Sequence, residues 1–233
     1  MVDCDSELPV AFDLRPANEN ETKRLQPTLE HLRRRHPQLA QRIAAVMADR
    51  GYDSGANCQY VYDQLDALPI INMRLSANPD RPCTAAEYLC NRYGTPLCPS
   101  GYRMAYWGRD GDYLKWRCPV AAGHADECRY FGRCSSSGYG AVWKIDVHRD
   151  LRRMPGLGRE TNKFRRLYDK RSAVERLNTR LKEYLLADDL TIRTLPKVRM
   201  HLNLALVVML AGAWAMVSRQ KLQRARQIVR LAA

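Results

Sequence analysis

The 233-residue chain lacks a signal-peptide pattern: Met1-Val2-Asp3-Cys4-Asp5 is polar and acidic, and no apolar core follows it. It lacks a long hydrophobic run as well. Leu202 to Val217, its longest, is interrupted by Asn203 and falls short of the roughly 20 residues that a membrane span needs. That stretch reads as a buried helix, and no membrane partner is expected. There is no internal repeat and no low-complexity tract. Without export the expected location is cytoplasmic, a reducing compartment in which the eight cysteines favour burial or metal binding over disulfides.

What the chain has in excess is positive charge. Its 38 Lys and Arg outnumber 25 Asp and Glu, for a net charge of +13 and a pI near 9.6. Such an excess points to a polyanionic partner, nucleic acid or an anionic surface. A hydrophobic content of 45% supplies an ordinary packed core and argues against global disorder.

Along the chain, Leu8–Leu14 is strand-like and ends in the turn chemistry of Arg15-Pro16-Ala17-Asn18. Thr22 to Arg35 predicts a helix capped by Thr22, with Leu25, Leu29 and Leu32 on its apolar face and Pro37 as its stop. Ile43 to Ala48 is a short unbroken apolar run ending at Asp49, which suits a strand covered on both faces. Ser54 can cap a helix to about Leu65, and Leu68 to Met73 forms another buried strand. This alternation is the rhythm of an α/β sheet. The character changes after Arg74: Ser76 to Gly140 is rich in Pro, Gly, Ser and Tyr and holds six cysteines. Tyr102–Trp107 and Tyr113–Arg117 are strand-like, joined through Gly108-Arg109-Asp110-Gly111, a hairpin signal. The organisation is therefore residues 1–75, a β-rich insertion over 76–145, and a helical part over 146–233, whose helices run from Asn162 to about Leu186 and from about Lys197 to Ser218. A basic tail, Arg219 to Arg230, follows.

On the first of those helices Tyr168, Arg171, Glu175 and Lys182 fall within roughly a 60° sector at about 100° per residue. Leu167, Val174, Leu177 and Leu181 make a neighbouring apolar stripe for docking on a sheet. One metal-binding carboxylate would thus stand among groups that hold phosphates: Arg171 by a bidentate fork, Lys182 as a point charge, and Tyr168 through its hydroxyl. The plainer alternative is a solvated face with an intrahelical Arg171–Glu175 ion pair.

The pattern Tyr168-x2-Arg171-x3-Glu175-x6-Lys182 resembles the Tyr-Arg-Glu-Lys signature of DDE transposases from bacterial insertion sequences, notably the insertion-sequence-four-like group. Ala48-Asp49-Arg50-Gly51-Tyr52-Asp53-Ser54 resembles the segment that bears that family's second catalytic aspartate, and Leu8-Pro9-Val10 with Pro16-Ala17-Asn18 resembles the strand and turn before it. The resemblance implies an α/β, RNase H-like mixed sheet flanked by helices, with the first segment as a partial core, the β-rich insertion before the last catalytic helix, and the helical part completing the core. It implies catalytic and metal-binding roles for Asp49 and Glu175 with Mg (or Mn), DNA-binding roles for Tyr168, Arg171 and Lys182, and DNA partners in the form of transposon ends and target. A homo-oligomer or a full-length transposase would be the protein partner. Asp53 is expected to be a turn or cap residue rather than a ligand. The family's first acid should lie on a strand before Leu8. Asp3 and Asp5 fall instead where the family has a turn, so the chain resembles an N-terminally truncated member whose activity as an enzyme is left open. The alternative is a non-catalytic basic DNA-binding protein or transposition inhibitor.

The cysteines stand apart from that pattern. Cys98-Pro99 and Cys118-Pro119 bracket the hairpin, and Cys128 and Cys134 follow. Four thiolates there could close a structural zinc site, with His124, Cys83 and Cys90 as substitutes. The spacing is not the CxxC…CxxC pair of a zinc ribbon, and the plain alternative is a set of reduced, buried thiols.

Overall fold

The computed structural model describes residues 1–16, 18–75, 83–85 (backbone), 87–188, 191–220 and 225. In chain order its elements are α1 (Leu25–Arg35), α2 (Pro37–Ala40), β1 (Ala45–Ala48), α3 (Gly55–Leu65), β2 (Leu68–Ile71), β3 (Cys83–Ala85), β4 (Tyr88–Cys90), β5 (Ala105–Asp110), β6 (Tyr113–Arg117), β7 (Val142–Asp146), α4 (Asn162–Asp169), α5 (Ser172–Leu185) and α6 (Leu195–Ser218). The fold is mixed α/β. Among the described residues its strands form three separate sheets, β1-β2, β3-β4 and β5-β6-β7, rather than one mixed sheet. The chain divides into two compact units, Gln38–Asp169 and the pair Met1–Pro37 with Lys170–Ala233.

In the unit Gln38–Asp169, β1 and β2 run parallel with Ala45 opposite Leu68 and Ala48 opposite Ile71. A parallel pair needs a crossover, and α3 supplies it. Ser54 starts that helix as the sequence predicts, its hydroxyl accepting from the Asn57 amide at 3.1 Å. Ile70, Leu157 and Phe164 form a buried cluster on which Met47, Leu68, Tyr106, Leu167 and Tyr168 pack, so α4 docks on the β1-β2 pair. The hairpin β5-β6 exists, shifted toward the C-terminus: Asp110 pairs with Tyr113, leaving Gly111-Asp112 as its two-residue loop. Gly111 has φ +56°, the left-handed backbone such a turn requires. A third strand, β7, adds to β6 with Trp116 opposite Trp143.

In the other unit α1 buries Leu25, Leu29 and Leu32, as their spacing predicts. Asn20 rather than Thr22 caps the preceding 3-10 turn, Glu21–Arg24, accepting from the Thr22 amide at 2.9 Å. The expected strand over Leu8–Leu14 is reduced to one antiparallel bridge, Val2 to Pro9. Pro9 has no N–H to continue a ladder, and Glu7 bends the chain at φ +56°. Glu7 is itself buried, held by Arg176 at 2.8 Å and Arg180 at 3.5 Å, two cations one helical turn apart on α5.

Two helical expectations need correction. The predicted single helix from Asn162 is two helices, α4 and α5, separated at Lys170-Arg171. There the amides of Ala173 and Val174 donate to the carbonyls of Lys170 and Arg171, three residues back, so the four-residue ladder is interrupted. The last helix begins earlier than Lys197 and reaches 24 residues, long and apolar enough to cross a membrane by length and composition. It was expected to be buried, yet only 33% of its most apolar window is. Ala205, Leu206, Met209, Ala213 and Met216 are inside, whereas Leu204, Val207 and Trp214 are more than half exposed. Core helices pass the same length test, so this property alone assigns no membrane role. The basic tail lies outside the described residues save Arg219, Gln220 and Ala225.

Candidate active site

Asp49 follows the last residue of β1 and stands exposed at the strand's C-terminal end. In open α/β sheets ligands gather at such ends. The Tyr168 hydroxyl, carried there by α4, donates to Asp49 Oδ1 at 3.3 Å. The structure thus brings together Asp49 and Tyr168, 119 residues apart in sequence.

The loop after Asp49 is held from several sides. Asp53 is fully buried and receives both arms of the Arg152 guanidinium, at 2.9 and 2.7 Å, and the Arg74 amide at 2.7 Å. Donating to the Asp53 carboxylate holds the Arg152 pKa above its ordinary value. The Arg74 side chain donates to the carbonyls of Arg50 and Gly51, and Asn57 donates to the carbonyl of Tyr52. Arg159, whose pKa burial pushes down to about 10, donates to the Ile71 carbonyl at the end of β2 and to the Arg152 carbonyl. Asp53 therefore serves the structure, as its place in the turn suggested. Arg74, Arg152 and Asn57 were not singled out from the sequence: a lone Arg after a strand reads as solvated charge, and Arg152 lies 99 residues from its partner.

Arg171, Glu175 and Lys182 belong to the other unit. Arg171 Nη1 donates to Glu175 Oε1 at 2.8 Å, the intrahelical pair of the plainer alternative, with the glutamate side chain 60% exposed. Lys182, in the last turn of α5, pairs with Asp188 at 3.0 Å. Leu177 is buried as the apolar stripe requires, but Val174 is exposed. Because α4 ends at Asp169, Tyr168 does not share a helix with the other three residues. Of the remaining acids in this unit, Asp3 closes a local turn by accepting from the Ser6 amide and hydroxyl, and Asp5 pairs with Lys170 at 2.9 Å.

Four cysteines between β4 and β7 border one cavity. Cys98, Cys118, Cys128 and Cys134 all line a single cavity of about 120 Å³. Ser100 hydrogen-bonds Cys128 at 3.0 Å, which holds that thiol's pKa below its usual value. Cys90 is buried on β4, His124 is exposed, neither lines the cavity, and the Cys83 side chain lies outside the described residues. Among the described residues no three of His, Cys, Asp and Glu are grouped closely enough to hold a metal ion as they stand.

Comparison with curated proteins and with solved structures gave no match. Comparison with protein-family models did: residues 1–210 match the family described as the transposase DDE domain, a span that includes Asp49, Tyr168, Arg171, Glu175 and Lys182. With all but the last 23 of its 233 residues inside that match, the chain belongs to the transposase DDE domain family.

Proposed function

We propose that this chain is the catalytic domain of a DNA transposase of the insertion-sequence-four-like group, built on an RNase H-like core, with Asp49 and Glu175 as two acids of a two-metal phosphoryl-transfer site. The observation that carries the reading is Asp49, exposed at the end of a parallel strand and touched by the Tyr168 hydroxyl, within a chain that matches the transposase DDE domain. Asp and Glu oxygens suit hard ions such as Mg²⁺ or Mn²⁺. Asp49 and Glu175 are exposed, whereas Asp53 and Glu7 are buried on arginines. When bound, such a metal pair activates a water or a DNA 3′-hydroxyl and stabilises the leaving oxygen.

The chain's own residues do the rest. Tyr168 orients the Asp49 carboxylate through its hydroxyl, and the braced loop keeps that acid at a fixed distance from the end of β1. Arg171 can exchange its bond to Glu175 for a bidentate grip on a phosphate once a cation takes the glutamate, and Lys182 adds a point charge along the strand. Lys163, Arg165 and Arg166, exposed on α4, contribute to the attraction of the DNA backbone. The partners on this reading are transposon ends and target DNA, with a second copy or a full-length transposase beside them, and the setting is the cytoplasm.

A second reading, a basic protein that binds DNA without cutting it, is favoured by Asp3 and Asp5. Asp3 is engaged by Ser6 and Asp5 by Lys170, and no third acid is assigned among the described residues. On this second reading the purified chain retards DNA in gel-shift assays and leaves it un-nicked with Mg²⁺ or Mn²⁺. Metal-dependent nicking that vanishes in Asp49→Ala and in Glu175→Ala establishes an active enzyme and overturns the second reading. Binding that persists in both variants, with no cleavage under either metal, supports it.

A further inference from the structure

Between Cys118 and the start of β7 the chain runs through Ala121–Gly140, twenty residues without helix or strand and without one buried residue. Structureless loops of this length are uncommon inside compact domains, because nothing offsets the entropy of ordering them. Its two ends are fixed. The Cys118 amide donates to the Ala141 carbonyl at 2.8 Å, and the Arg117 guanidinium stacks on Tyr139 at 3.5 Å. In the middle, the backbone contacts among the described residues are short local turns, and the Cys128 side chain is joined to Ser100 at 3.0 Å.

Three of the cysteines in this region each open a turn of three or four residues. The Cys98 carbonyl accepts from the Gly101 amide at 2.8 Å, that of Cys118 from Ala122 at 3.0 Å, and that of Cys128 from Phe131 at 2.9 Å. The Cys98 turn closes on a glycine of positive φ, Gly101 at +80°, and such a glycine directly follows the other two, Gly123 at +74° and Gly132 at +82°. Three cysteines thus each open a tight turn, and the fourth, Cys134, is tied back to the Tyr130 carbonyl by its amide at 3.4 Å. All four side chains line the same cavity, whose walls otherwise hold apolar and neutral polar groups and no charged residue.

We propose that Cys98, Cys118, Cys128 and Cys134 are the four thiolate ligands of one structural zinc ion, which fastens the Ala121–Gly140 stretch to the β5-β6-β7 sheet. Zinc takes four sulfurs tetrahedrally at about 2.3 Å, and a metal ordering an otherwise coreless segment draws its ligands together as it binds. No three of these thiols are grouped closely enough to hold a metal as they stand, so closure asks for movement in the Ala121–Gly140 stretch, which has no buried residue. Each thiol that ligates releases its proton to solvent, leaving a doubly negative ZnS₄ centre in a cavity close to Arg117, Arg129 and Arg133 in sequence. The site is independent of the proposed DNA chemistry and holds if that reading fails.

The test is metal analysis and zinc X-ray absorption on the full chain purified under reducing conditions and dialysed against zinc. The expected result is about one zinc per chain with a shell of about four sulfurs. Cys118→Ser with Cys128→Ser is expected to lose the metal, and Cys4→Ser to retain it. Chelation of the unmutated protein is expected to open trypsin cleavage after Arg129 and Arg133 while the helical circular dichroism persists. A folded, reduced protein that binds no zinc, a shell containing imidazole nitrogen, or disulfides among these four cysteines overturns the proposal.

Discussion

The two acids proposed for catalysis are held in opposite ways. Asp49 sits at the head of a loop fastened by a fully buried carboxylate, a bidentate arginine, a second arginine on two carbonyls, and an asparagine on a third. Glu175 stands on the exposed face of α5, paired with Arg171 one turn away, just after the point where the helical ladder is interrupted. The first acid is fixed by its surroundings, and the second owes its place to one solvated pair. Exposure separates the acids that build the protein from those offered to solvent: Asp53 and Glu7 lie buried on arginines, while Asp49 and Glu175 are exposed.

The largest effect that can sharpen this contrast comes from the bracing itself. Asp53→Ala leaves Arg152 facing a hole where its carboxylate was and is expected to cost about 3–5 kcal/mol in denaturant unfolding, the range for breaking one side of a buried ion pair. A loss of less than about 1 kcal/mol, the scale of an exposed pair, breaks the contrast. Ile70→Ala, in the cluster under α4, is expected to cost about 2–5 kcal/mol through the cavity it leaves, and to weaken the docking of Tyr168. Ser54→Ala removes the cap of α3 and is expected to cost about 1 kcal/mol. Glu175→Ala touches only a solvated pair and is expected to change stability by less than about 0.5 kcal/mol, so any loss of metal or DNA binding in it reads as function.

Parts of this arrangement were legible in the sequence for local reasons. The unbroken apolar run before Asp49 suited a strand, which β1 is, though only Val46 and Ala48 of it are buried, and Ser54 placed the start of α3 to within a residue. The leucines of α1 repeat at helical spacing and are all buried. What escaped was long-range or subtractive. The partnership of Asp53 with Arg152 spans 99 residues and leaves no local mark. The interruption at Lys170-Arg171 was hidden because Leu167, Val174, Leu177 and Leu181 keep helical spacing straight through it. α6 was misjudged because an apolar composition speaks of burial in general, whereas one face of this helix is exposed. The shared cavity of the four cysteines could be suspected from their clustering but not placed, since their spacing follows no ribbon pattern.

The claim at the centre of the account is that Asp49 and Glu175 grip the same metal pair. Iron(II) substituted for Mg²⁺ in the DNA-bound chain, with ascorbate and hydrogen peroxide added, reduces the peroxide to hydroxyl radicals that cut the backbone beside the metal, and sequencing the fragments maps its ligands. The account predicts cuts near both residue 49 and residue 175, and loss of both sets together in either Asp49→Ala or Glu175→Ala. Cuts confined to one of the two positions, or one set surviving when the other acid is removed, contradict it.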